Sequence, residues 1–166
     1  MPSPHPTIAL ALFFLCCVGN CASAGERQMR LTPDEIAALP SIAAGTGTSG
    51  VTSIRTTVLS GDPNKAGLYT IRLVIAPRTL IKPHHHRDDR VATVVSGLWY
   101  IGYGAKREAG ALKALPPGSF YTEPAGATHF AGTEDQPAVV DITGIGPSDT
   151  IYVDASDSPA ARAPRD

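Results

Sequence analysis

Three consecutive histidines, His84, His85 and His86, and a lone His129 further along are the residues of this 166-residue chain with the most chemistry to offer. Side chains on a strand alternate between its two faces, so an extended run sends His84 and His86 to one side and His85 to the other. Two imidazoles on one face, joined by a third from a distant strand, make one face of a metal polyhedron. Neutral imidazole suits iron, zinc, nickel and copper. The same run, KPHHHRDD from Lys82 to Asp89, also fits a surface loop whose histidines are solvated, and the local spacing leaves both readings open.

Carboxylates stand close to both groups. Glu123 immediately precedes Pro124 on the segment leading to His129; there it can orient a ligand imidazole or act as a general base, or, facing outward, simply meet solvent. Asp88 and Asp89 read first as a charged turn. Aromatic side chains gather in GLWYIGYG, residues 97–104, and at Phe120, Tyr121 and Phe130. Alternation puts Leu98, Tyr100 and Gly102 on one face and Trp99, Ile101 and Tyr103 on the other. Filling a core is the commoner use of such residues, and lining a pocket is the alternative.

The elements that must carry these groups are mostly strands. The 16 glycines and 15 prolines work against a helical bundle, because both residues break helix interiors. Thr32-Pro33-Asp34-Glu35 spells a capping box with proline at the first helical position, which predicts a helix of about two turns to Leu39, ended by Pro40. Residues 41–50 lack periodicity and read as a loop. Val51–Leu59 and Leu68–Ala76, separated by the turn-rich SGDPNKAG, read as a hairpin, the second run alternating at Tyr69, Ile71, Leu73 and Ile75. Further runs follow at Val91–Val95, Leu98–Tyr103, Leu112–Leu115, Ser119–Glu123, Ala138–Thr143 and Thr150–Val153. Short strands with turn residues in almost every gap predict an all-β sandwich or barrel. With 14 basic against 15 acidic residues, the formal net charge is −1, which offers no electrostatic footprint for nucleic acid or for an anionic membrane.

The surroundings of the histidines resemble a known pattern. Pro83-His84-His85-His86-Arg87-Asp88-Asp89-Arg90, followed by Val91 to Gly97, is similar to the first motif of the cupin superfamily, in which two histidines one residue apart precede an acidic residue and a hairpin glycine. Gly118-Ser119-Phe120-Tyr121-Thr122-Glu123-Pro124-Ala125-Gly126-Ala127-Thr128-His129 is similar to the second motif, with its glycine, proline, glycine and histidine at four matching positions. The resemblance covers about residues 50–154. Pro124 has no N–H to extend a ladder, and Gly126 permits the positive φ of a tight turn that returns the chain toward His129.

This resemblance implies a single small jelly-roll β-barrel with a short N-terminal helix, in which His84, His86 and His129 bind a divalent transition metal, iron first and zinc, nickel or manganese otherwise. It also implies a homodimer formed through exposed edge strands. Two positions depart from the pattern. Arg90 stands where the acidic ligand belongs, and Thr133 stands where asparagine often follows the second histidine. A guanidinium has no lone pair for a cation. Three readings follow: a three-histidine centre with open positions, as in cupins resembling cysteine or diketone dioxygenases; a fourth ligand from Asp88, Asp89 or Glu123; or a metal-free cavity that binds an anion through Arg90.

The N-terminus reads as an address. Ile8 to Val18 is an uncharged apolar run, followed by Ala22-Ser23-Ala24, which matches a signal-peptide core and cleavage site; it is shorter than the roughly 20 residues of a membrane span. Cys16, Cys17 and Cys21 all fall inside it, so the processed chain has neither disulfide nor thiolate. The expected organisation is a signal peptide over 1–24, helix and loop over 25–50, barrel over 51–154, and a disordered tail over 155–166. The expected function is that of an exported, periplasmic or secreted dioxygenase or related oxidoreductase on a small oxygen-rich molecule, with Glu123 and Arg90 as catalytic side chains. A non-catalytic binding or sensor protein and a metal-dependent isomerase are the alternatives.

Overall fold

The computed structural model describes residues 28–43 and 48–159; the expected signal segment, 1–24, lies outside the described residues. Among the described residues ten strands form two five-stranded antiparallel sheets. One has the order β1 (Ile54–Ser60), β2 (Gly67–Ile75), β9 (Ala138–Gly146), β4 (Arg90–Gly97), β7 (Phe120–Glu123). The other has the order β10 (Ile151–Tyr152), β3 (Leu80–His85), β8 (His129–Gly132), β5 (Trp99–Tyr103), β6 (Lys113–Leu115). The architecture is all-β. The β1–β2 hairpin forms as its turn residues predict, with Ile54 opposite Ile75.

Alternation builds the core. Tyr69, Ile71, Leu73 and Ile75 point inward from β2 and are buried, and they meet Ala92, Val94, Val140 and Ile142 of the same sheet and Ile81, Trp99, Ile101 and Ala131 of the other. Burying each large aliphatic chain contributes roughly 1.5–3 kcal/mol, so the packed sheets form a stiff frame around whatever polar groups share the interior.

Two strands lie outside the predicted runs, and both carry histidine. β3 contains Pro83, and its pairing with β8 slips between Ile81 and His84, as expected where a proline cannot donate. β8 is four residues long and buried throughout, so it has no polar face to alternate. At the N-terminus, α1 spans Pro33–Ala37 with Thr32 and Glu35 forming a capping box, one turn where two were expected. Of the tail expected to be disordered, Ala155–Asp157 closes a 3₁₀ turn, where the Ser156 N–H donates to the Asp154 carboxylate at 2.9 Å, and residues 160–166 lie outside the described residues. Among the described residues no helix is long and apolar enough to cross a membrane.

Candidate metal centre

Strand pairing brings the two histidine groups together. His84 on β3 lies directly opposite His129 on β8. His86 follows one residue beyond the end of β3, where its carbonyl accepts from the Gly126 N–H at 2.8 Å. Gly126 has φ +72, the left-handed turn that lets the chain leave Pro124, dock on His86 and re-enter as β8. His84, His86 and His129 are all buried, with potential ligand atoms within 4.8 Å of one another. His85 is not part of this group.

Each ring is oriented by a backbone carbonyl, which can only accept and so requires the proton on Nδ1. His84 donates to Lys82 at 2.7 Å, His129 to Ala127 at 3.2 Å, and His86 to Asp149. That leaves the three Nε2 atoms as the ones with lone pairs, of which His86's already meets Arg90 at 2.6 Å. Fixing the tautomer through the far nitrogen is how ligand histidines are held in metal sites. The Nε2 of His129 is buried and has no hydrogen-bond partner among the described residues. These features fit a divalent transition metal.

Burial strips water from the imidazoles and disfavours their charged forms. It holds His84 down to about 3, with His129 adding to the effect, and His86 down to about 2, with Arg90 adding to it; His129 is lowered for the same first reason. All three are neutral at neutral pH, as ligands must be.

Arg90 and Glu123 complete the site. They face each other across the β4–β7 pair, and both are buried. Arg90 donates to the Glu123 carboxylate from Nε at 2.7 Å and also from Nη2, which in addition lies 2.6 Å from the Nε2 of His86. Burial alone would raise the Glu123 carboxyl, but Arg90, then His129 and His86, outweigh it and hold the group at about 2. Glu123 Oε1 comes to 3.4 Å from His129 Nε2; both atoms are acceptors in this tautomer, so the contact is not a hydrogen bond.

The three carboxylates considered as a fourth ligand therefore separate. Glu123 lies at the histidines. Asp89 does not: it accepts from the Ala125 N–H at 2.9 Å and braces the turn before β8. Asp88 is not an exposed turn residue either. It is buried and accepts from the Tyr69 hydroxyl and from Ser148 Oγ, each at 2.7 Å, and its charge helps keep Arg90 protonated. Tyr69, Ser148 and the Asp149 carbonyl are functional neighbours that no spacing in the sequence revealed. They come from β2 and from the segment after β9, and only the closed barrel brings them behind the site. Thr133 holds the frame instead, its hydroxyl donating to the Ala76 carbonyl at 2.6 Å and accepting from the Thr79 N–H at 3.0 Å.

The interior beside the histidines holds a cavity of about 20 Å³ lined by His84, His129, Arg90 and Glu123, by the apolar Leu73, Ile81, Ala131 and Ile142, and by Trp99 and Tyr121. Other depressions, such as the groove beside α1 lined by Pro33, Ile36 and Leu39, lie away from this chemistry.

No family model matches the sequence, and no curated protein matches it. Solved structures do. The polyketide cyclase RemF from Streptomyces resistomycificus is 14% identical with a TM-score of 0.60, covering 83% of this chain and 95% of that one. An RmlC-like cupin from Shewanella frigidimarina is 15% identical with a TM-score of 0.54, covering 74% and 95%. The DMSP lyase DddQ from Ruegeria pomeroyi is 18% identical with a TM-score of 0.50, covering 72% and 56%. At these identities the likeness is one of fold: the chain has a cupin-like fold, and enzymes are among the proteins that share it.

Proposed function

We propose that this chain is an exported, metal-dependent cupin enzyme, a dioxygenase or related oxidoreductase, that binds one divalent transition metal through His84, His86 and His129 and acts on a small oxygen-rich molecule. Iron is the first candidate, and zinc, nickel and manganese are the others. The observation that carries the reading is the convergence of three imidazoles whose tautomers are set by backbone carbonyls. An ion there would supply Lewis acidity toward a carbonyl or carboxylate and, as iron, a route to O₂ chemistry.

The remaining work falls to the chain's own side chains. Arg90 stays protonated in the interior and, held on Glu123 and beside His86, supplies the positive charge that would attract a substrate anion. Glu123, held ionised, is an acceptor for a substrate hydroxyl; with its carboxyl at about 2 it is a weak base at neutral pH, so orientation is its first role. The apolar walls exclude water and strengthen these contacts.

A second reading is favoured by one contact. The Arg90 guanidinium donates to His86 Nε2, the lone pair a metal would use, which supports a metal-free, non-catalytic protein that captures an anion.

Elemental analysis of protein purified without a histidine tag or added metal, beside a His84→Ala/His86→Ala control, decides between them. About one equivalent of transition metal absent from the control supports the enzyme, and oxygen uptake with small diketones, thiols or phenols then tests the reaction. Protein that stays empty when offered iron, manganese, nickel and zinc moves the conclusion to anion capture. Export predicts a secreted or periplasmic product beginning at Gly25, read by intact mass. A homodimer through an exposed sheet edge predicts twice the monomer mass in light scattering.

A further inference from the structure

Besides His129 Nε2, two further polar groups that line the barrel interior have no partner among the described residues. Trp99 Nε1–H and the Tyr121 hydroxyl are buried without a hydrogen bond among the described residues, and both residues line the cavity that also opens on His84, His129, Arg90 and Glu123. Trp99 is 2% exposed and Tyr121 5%. An unsatisfied buried group costs about 1–3 kcal/mol, so two of them in one place require an explanation, commonly an unseen water or ligand atom. The cavity, about 20 Å³, exceeds the roughly 10–15 Å³ that one water needs.

The types of the groups narrow the ligand. Indole N–H can only donate. Tyr121 shares the inward face of β7 with Glu123, two residues on, and burial, followed by the Glu123 charge, keeps its hydroxyl protonated. Trp99 is near enough for its N–H to favour the phenolate, yet the two do not bond to each other. The Arg90 guanidinium lines the same cavity and adds positive charge to it. An atom between Trp99 and Tyr121 is therefore met by donors.

We propose that Trp99 Nε1–H and Tyr121 Oη–H form the floor of the substrate chamber and bind a single acceptor oxygen, held by water in the resting protein and supplied by the carboxylate of a small organic acid in the complex. This rests on the proposed function for the cavity's role as a substrate chamber, and it deepens that reading by naming the substrate class. The floor itself needs no metal.

Trp99 is the chain's one tryptophan, so its emission reports on this floor directly. Formate, the smallest carboxylate, is titrated into the protein, once with chelator and once with metal, and Trp99 fluorescence is followed. The expected result is a saturable change in both states, with the dissociation constant raised about tenfold by Tyr121→Phe while the thermal midpoint stays level or rises. Methylammonium, of similar size but a donor, should produce no saturable change. If Tyr121→Phe does not fold, Trp99→Phe followed by calorimetry makes the same comparison. Formate affinity unchanged by loss of either group, no saturable response to formate, or equal binding of methylammonium overturns the proposal. Failure of metal uptake with a Tyr121-dependent formate response intact would count against the metal centre alone.

Discussion

Acid should unfold the metal-free protein well before most carboxylates titrate, because the barrel holds neutral histidines in its interior. An exposed imidazole in the unfolded chain takes a proton near pH 6.5. In the folded chain burial holds His84 at about 3 and His86 at about 2. Their folded values are lowered, so below pH 6.5 the unfolded state binds protons that the folded state refuses, and stability falls as pH falls. Between about pH 7 and about pH 5 each such histidine removes roughly 2 kcal/mol, so the pair removes about 4 kcal/mol. His129 shifts in the same direction and adds to the loss. Glu123 contributes in a lower window, its stabilisation present above its ordinary carboxyl value and lost as pH falls toward about 2. Against a typical total of about 5–15 kcal/mol, the histidine contribution is large. Urea denaturation in chelator at about pH 7, 6 and 5 should show the folding free energy dropping with this slope, and His84→Gln/His86→Gln should flatten it. A free energy that changes by less than about 1 kcal/mol over this range would mean that the imidazoles are already charged or solvated in the folded chain, and the account of the site would fail. In the loaded protein, metal and fold should be lost together, since the folded imidazoles do not accept protons ahead of unfolding.

Three further outcomes follow from the same geometry. His86→Ala and His129→Ala should each remove most of the bound metal measured by elemental analysis, whereas His85→Ala should leave it near wild type; equal losses from all three would contradict the strand alternation. Glu123→Gln removes the carboxylate partner of a buried ion pair, so it should destabilise the protein by about 3–5 kcal/mol in chemical denaturation, and a change under about 1 kcal/mol would mean the pair is effectively solvated. Arg90→Gln withdraws the cation from His86 Nε2 and frees the Glu123 carboxylate, so metal affinity by competitive chelation should rise by about tenfold or more, while the metal-free protein loses stability. Unchanged or weaker affinity would show that Arg90 does not compete with the metal.

The strand hairpin over residues 51–76, the later runs from Val91 to Val153 and the two histidine groups were legible because each depends on local rules. Side-chain alternation, turn residues and the four matching positions from Gly118 to His129 are all properties of adjacent residues. β3 and β8 were not legible. Pro83 and two histidines mask the first, and the uniform burial of the second leaves no period to detect. Asp88 reads as a charged turn in the sequence because its partners, Tyr69 and Ser148, lie on segments far away in the chain.

The residue types decided in advance which groups can ligate and which cannot: histidines offer lone pairs, Arg90 offers none, and Glu123 was one carboxylate among three candidates. Only the closed barrel selects Glu123, because the β4–β7 register sets it opposite Arg90. It also neutralises the histidines and leaves Trp99 and Tyr121 with unspent donors. Those properties arise from desolvation and from contacts between distant strands, which depend on where a side chain ends up in three dimensions and have no counterpart in its neighbours along the chain.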